Sequence, residues 1–243
     1  MDPFINRNTY RSLVSGDGLT YFRVSVKETD LLIGAAKNLN GPALRAIQES
    51  RQMVEKEIME RPEFQTSLVP IEETGSEPAP VLSMFNAGHI AGTGPMAAVA
   101  GMIAEYTGRT LSRYQTEVIV ENGGDIFLLG STPRTVAIAA GKSSLSMKLG
   151  IQIDPTSGRG ICTSSGTYGH SLSFGRSDAA VVVSRDCALA DAVATMLGNK
   201  CSVPEDLAPS VEWAASLPGV DGALVILGDH LAAAGDIELV RLD

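Results

Sequence analysis

The chain of 243 residues is poor in the features that announce the commonest chemistries. Its three cysteines, Cys162, Cys187 and Cys201, never form a C-x-x-C pair. That argues against a disulfide framework, a zinc site or a thioredoxin-type couple, and leaves buried thiols as the expectation. Aromatic residues make up 5% of the chain, and no basic run offsets a formal net charge of -9. Such a surface repels a polyphosphate backbone and offers little stacking, so nucleic acid is not an expected partner. No segment has enough uninterrupted apolar residues to span a bilayer, and Met1-Asp2-Pro3-Phe4-Ile5-Asn6-Arg7 lacks the basic-then-apolar order of an export signal. The expectation is a cytoplasmic protein without a membrane partner. The absence of G-x-S-x-G, H-E-x-x-H and a complete Walker loop speaks against a serine hydrolase, a zincin and a P-loop NTPase.

What is present alternates between strand and helix periodicity. Residues 10–35 predict a three-strand meander with Tyr21, Arg23 and Ser25 on one face. After Pro42, residues 43–59 predict a helix with Leu44, Ile47, Val54 and Ile58 inward. Residues 68–80 are rich in Pro, Glu, Ser and Gly and predict an exposed loop. A strand at 81–85, a helix at 95–107, two strands with a tight turn over 116–130, and strands at 135–140 and 148–153 follow. The last third predicts a buried strand at 179–184, helices at 186–198 and 204–216, and a hairpin over 222–243. The expected fold is α+β, with helices packed on largely antiparallel sheet, two similar halves and one domain over 1–243.

Four segments can carry chemistry. In the helix from Asp186, the face opposite the apolar stripe of Leu189, Val193, Met196 and Leu197 carries Ala188, Asp191, Ala194, Thr195 and Gly198. A solvated face would bear Lys, Glu or Arg, so this one is expected to be covered. Asp191 and Thr195, four apart, can reach one ion, and Mg²⁺ suits such hard oxygens. The plainer alternative has Thr195 bonding back to the preceding turn and Asp191 in solvent. Gly92-Thr93-Gly94 runs into a helix of small residues, an arrangement with free N–H groups for an anion. With a strand before it, Gly92-Thr93-Gly94-Pro95-Met96-Ala97 also fits a loose NAD(P)-binding fingerprint. Gly123-Gly124-Asp125 reads as a turn or as a pocket lining. Cys162 to Ser171 reads as a loop in which Thr163, Ser164, Ser165, Gly166, Tyr168 and His170 offer polar contacts. A small phosphorylated ligand fits these pieces despite the acidic charge, because local donors and a cation override it.

The order of Gly123-Gly124-Asp125-Ile126, Thr163-Ser164-Ser165-Gly166-Thr167-Tyr168 and Ala190-Asp191-Ala192-Val193-Ala194-Thr195 resembles the ApbE family, the FAD:protein FMN transferases. The resemblance implies an ApbE-like, T-fold-related architecture, Mg²⁺ on Asp191 and Thr195, and FAD or a related nucleotide as ligand. Three departures stand out. Gly94-Pro95-Met96-Ala97-Ala98 lacks the family's lysine, His170-Ser171-Leu172-Ser173-Phe174-Gly175 replaces its His-Ile-Ile-Asp-Pro-x-Thr-Gly segment, and no export signal is seen. With Tyr10-Arg11, Glu28-Thr29-Asp30-Leu31 and Gly94 to Gly101, the chain looks like a cytoplasmic branch of the superfamily from anaerobic bacteria and methanogens. That branch has no settled activity and is associated with sulfur assimilation towards homocysteine. A transferase or pyrophosphate-cleaving enzyme and a non-catalytic accessory protein are both consistent with it. A homo-oligomer and a sulfur-assimilation protein are the partners the resemblance allows.

Overall fold

The computed structural model describes residues 18–165 and 176–242. The chain opens with β1 (Thr20–Val26) and β2 (Thr29–Ala35), then α1 (Asn40–Glu60), the single turn α2 (Glu63–Thr66) and α3 (Ala79–Ala91). A 3₁₀ turn, Pro95–Ala98, leads into α4 (Val99–Leu111). Strands β3 (Val118–Asn122), β4 (Asp125–Leu129), β5 (Arg134–Ala137), β6 (Leu149–Ile153), β7 (Arg159–Ser164) and β8 (Ala179–Ser184) follow. Then come α5 (Cys187–Lys200), α6 (Leu207–Ser216), β9 (Val220–Leu227), β10 (His230–Gly235) and β11 (Glu238–Arg241).

Eight strands form one antiparallel sheet in the order β1-β2-β3-β4-β7-β8-β9-β10, and β11-β6-β5 form a second. Because side chains alternate across a strand, the large sheet has two apolar faces. Val118, Val120, Phe127, Cys162, Ala180, Val182, Ala223 and Val225 join the cluster built with the helices. Ile119, Ile126, Leu128, Ile161, Val181, Val183, Leu224 and Ile226 face Val136, Ile151 and Ile153 of the small sheet. The molecule is therefore three layers: helices, large sheet, small sheet. The small sheet is not legible in advance, because β11 pairs with β6 across more than 80 residues, a partner choice that local pattern cannot specify.

The face of α5 opposite its apolar stripe is covered in part: Ala188, Ala194 and Gly198 are buried, and Asp191 and Thr195 are half-buried. The helix packs against α3, α4 and α6 and against β7 and β8. In α1, Ala43, Ile47, Ser50, Val54 and Glu57 are buried at helical spacing, as the period requires. On β1, Tyr21, Arg23 and Ser25 share the exposed face and Phe22 and Val24 the buried one.

Several expectations are corrected. Residues 81–85 are not a strand but the start of α3, with Pro80 in its first turn. A five-residue run with four apolar residues fits either period, and the packing of α3 against α5 buries Val81, Met84, Phe85, Ala87, Gly88 and Ala91 at helical spacing. The dinucleotide fingerprint loses its context with that strand, since Gly92 ends a helix in a left-handed conformation instead of following a strand. Thr163 and Ser164 lie in β7, not in a loop, paired with Val181 and Ala180 of β8. Residues 222–243 are more than a hairpin: after β10 the chain crosses to the small sheet as β11. Residues 10–17 of the first expected strand, with Gly166, Tyr168 and His170, lie outside the described residues.

Candidate functional site

The helices α4 and α5 cross at their N-terminal ends, where Gly101 sits against the backbone of Cys187. A Cβ on Gly101 would collide with the Cys187 carbonyl and lie 2.9 Å from Asp191 Cβ. Only a glycine lets the helices approach this closely. At the crossing each helix caps the other. Asp191 Oδ2 of α5 accepts from Gly101 N–H at 2.9 Å, and Glu105 Oε2 of α4 accepts from Cys187 N–H at 2.7 Å. The first-turn N–H groups that a helix leaves unpaired are thus satisfied by a carboxylate, which also suits the positive end of the dipole.

The two carboxylates have different surroundings. Glu105 also accepts from Arg109 Nε at 2.6 Å. Asp191 faces Asp125, which the tight turn of Gly123 and Gly124, both at positive φ, delivers at the head of β4. Burial pushes the Asp191 carboxyl well above the usual carboxylate range, and the charge of Asp125 pushes it further, against the N–H groups of Gly101 and Ala100. Burial likewise raises Asp125, against hydrogen bonds from the Cys162 thiol and the Thr163 backbone, while Glu121 adds to the rise.

Asp125, Asp191 and Thr195 line one cavity of about 250 Å³, together with Thr93, Gly94, Met96, Gln65 and Asn199. None of the described residues lining it is Lys or Arg. Thr93 is 4% exposed, and its hydroxyl has no hydrogen-bond partner among the described residues. An unpaired buried hydroxyl costs about 1–3 kcal/mol unless something else satisfies it. The wall opposite α5 is the end of α2 and the stretch after it. Ser67 lies so close to Gly94 that a Cβ there would run into the Ser67 carbonyl. Gly94 thus makes room for the chain's own backbone.

Of the residues singled out from the sequence, Thr93, Gly94, Asp125, Asp191 and Thr195 come together in this cavity. Gly92, Gly123, Gly124, Thr163, Ser164 and Ser165 are not among its lining residues. Thr163 contributes through its backbone, which bonds Asp125, and the Ser164 hydroxyl lies toward Gly198 of α5. Met196, expected in the apolar stripe, lines the cavity. Asn199 was missed although 191, 195 and 199 follow one helical face at steps of four. Gln65, Ser67 and Leu68 carry no local signal, because only the folding of α2 onto Gly94 brings them in. Asp154-Pro155-Thr156 forms the turn after β6, and Gly158 lies against Phe127 and Arg109, at the other end of β7 from Ser164.

Comparison with known proteins bears on the family and the fold. The family model described as "AbpE bacteria" matches residues 11–218. A UPF0280 protein of Methanococcus aeolicus is 38% identical over 230 residues, covering 91% of this chain and 92% of its own. One from Methanosarcina barkeri is 40% identical over 220 residues, covering 88% and 86%. Among solved structures, the flavinyl transferase ApbE of Pseudomonas stutzeri in its apo form superposes with a TM-score of 0.53 at 14% identity, covering 96% of each chain. The flavin transferase ApbE of Vibrio cholerae gives 0.57 at 12% identity, covering 91% of this chain and 97% of its own. At such identities the likeness is one of fold. The chain belongs to the AbpE bacteria family and is a relative of the archaeal UPF0280 proteins.

Proposed function

We propose that the cavity between α4, α5 and the β3–β4 turn holds Mg²⁺ on Asp191, Thr195 and Asp125, and receives a flavin nucleotide such as FAD by its phosphates. The observation that carries this reading is the buried Asp125 carboxylate beside the half-buried Asp191 carboxylate, with no cationic side chain among the described residues that line the cavity. A divalent cation removes the repulsion and matches a donor set made only of hard oxygens. When bound, it supplies charge neutralisation at the phosphates, the chief requirement for breaking a pyrophosphate.

The chain's own residues do the positioning. The N–H groups of Gly101 and Ala100 hold the Asp191 carboxylate, Gly101 on Oδ2 at 2.9 Å, and so fix it at the edge of the cavity. The Thr93 hydroxyl, buried and unpaired, is suited to donate to a phosphoryl oxygen. Met96, Val99 and Leu68 restrict water on the remaining sides. Incubating the purified chain with FAD and Mg²⁺, with chromatographic detection of AMP and FMN, tests the enzyme. Absence of both binding and turnover defeats it.

A second reading is favoured by the lack of lysine among the described residues of the lining: a cytoplasmic accessory protein that binds the ligand without turnover, serving a partner in sulfur assimilation. Tight, cation-dependent FAD binding without AMP release would support it, and robust cleavage would exclude it.

A further inference from the structure

Among the described residues, four strands lie at sheet edges: β1 and β10 of the large sheet, β5 and β11 of the small one. An unpaired edge presents free N–H and C=O groups, and proteins usually guard it with charged residues, proline or a bulge. Arg23 lies in β1, Arg134 in β5, and Glu238 with Arg241 in β11. β10, from His230 to Gly235, has no proline and no acidic, lysine or arginine side chain, and its register against β9 runs without a bulge. Which of its groups point outward follows from the ladder. Leu227 and His230 close the two-residue turn of Gly228 and Asp229, so His230, Ala232 and Ala234 bond to β9. The Asp236 N–H, which bonds the Asp221 carbonyl at 2.8 Å, keeps the same phase. Leu231 and Ala233 therefore turn their N–H and C=O groups away from the sheet, and both residues are exposed, Leu231 by 36%.

We infer that β10 pairs antiparallel with β10 of a second copy of this chain, about a two-fold axis through Ala233, which joins the two large sheets into one. The strand is suited to itself. A two-fold pairing lays the same side chains against each other, so a strand of one charge would oppose like charges, whereas β10 has none to oppose. The axis through Ala233 pairs Ala233 with its counterpart and Leu231 with Gly235 of the second copy, all at outward positions of the ladder. In that register His230 stands opposite Asp236 of the second copy, at a pair of the kind whose side chains come closest. Both residues are exposed, and neither side chain makes a hydrogen bond among the described residues. An axis through Ala232 would set His230 against Ala234 and lose that complementarity. The inference is independent of the cation reading, because no residue of β10 lines the carboxylate cavity.

Light scattering on the full chain is expected to give twice its 25.5 kDa at high concentration and to fall toward one copy on dilution. A monomer at every concentration up to about 0.5 mM overturns the inference. Leu231→Lys guards an exposed edge position and is expected to weaken the dimer at least about tenfold, with the melting of the diluted monomer unchanged. Ala233→Pro removes an outward N–H while sparing the β9 ladder, and is expected to abolish the dimer. His230→Asp, which faces Asp236 across the axis twice over, is expected to weaken it at least about threefold, and adding Asp236→Lys to restore it. A dimer that L231K leaves intact overturns the inference, and so does a double variant that pairs no more tightly than H230D. Hydrogen exchange on the unaltered chain decides the matter even if a variant does not fold. Exchange over 230–235 is expected to slow as concentration rises, and exchange there that ignores concentration overturns the pairing.

Discussion

At the crossing of α4 and α5, Glu105 and Asp191 perform the same structural task, each accepting a hydrogen bond from the first turn of the other's helix. Their charges are handled in opposite ways. At the Glu105 end, Arg109 lies one turn along the same helix and supplies the counter-charge. At the Asp191 end the charge that adds to the rise from burial is that of another carboxylate, Asp125. Capping explains why both acids are present, but only the first end is electrostatically complete. In the proposed function the second is a cap that also holds a cation, and the substitutions below test whether that difference separates a structural carboxylate from a functional one.

The largest effect should come from Asp191. In Asp191→Asn the amide oxygen can still accept from Gly101 N–H, so the cap survives while the charge goes. Mg²⁺-dependent ligand binding, read by calorimetry, should weaken at least about 100-fold. The metal-free protein should melt no lower than the parent, and the rise in Tm that ligand with Mg²⁺ gives the parent should disappear. If D191N binds normally, the Asp191 end is as purely structural as the other.

Next is Gly101→Ala, which forces a Cβ into the Cys187 carbonyl and pushes the two ends apart. A loss of about 2–3 kcal/mol by urea denaturation is expected, with weakened cation binding as the carboxylates lose register. Glu105→Gln should cost about 1–2 kcal/mol, because Arg109 loses its partner while the cap survives, and should leave cation binding unchanged. A cation-binding defect in E105Q would erase the contrast between the ends.

The smallest effect concerns the segment after Ser67, whose start walls the Asp191 end. The Glu77 carboxyl accepts from Thr74 N–H at 2.7 Å, which with further local hydrogen bonds lowers its pKa from 4.5 to about 2. A carboxylate whose pKa falls on folding contributes stability that is full above its unfolded value and lost as pH falls through the folded one. The Tm gap between the parent and Glu77→Gln should therefore hold steady above pH 4.5 and close toward about pH 2. A gap that does not change over that range would show that Glu77 acts by shape alone.

Much of the layered fold was legible because burial follows period. Val118, Val120, Ile126 and Leu128 announce two strands buried on both faces, and Asp186 before an apolar stripe announces a helix start that the structure keeps, its side chain accepting from Leu189 N–H at 3.0 Å. Residues 81–85 misled because four apolar residues in a run of five carry no period of their own, and the choice of helix depends on α5 being there to cover it. In the site, Asp191 and Thr195 were legible as neighbours because four residues make about one helical turn.

The sequence by itself determined which residues could share a face: the period of α5 puts Asp191, Thr195 and Asn199 in one row, and the glycine pair before Asp125 makes a two-residue turn. Only the tertiary structure decided that Asp125 meets Asp191, that Gly101 brings α4 to α5, and that Ser67 closes the wall against Gly94. Those are contacts between segments tens of residues apart, chosen by packing of whole layers and by the need to satisfy helix ends, and local periodicity carries no information about them.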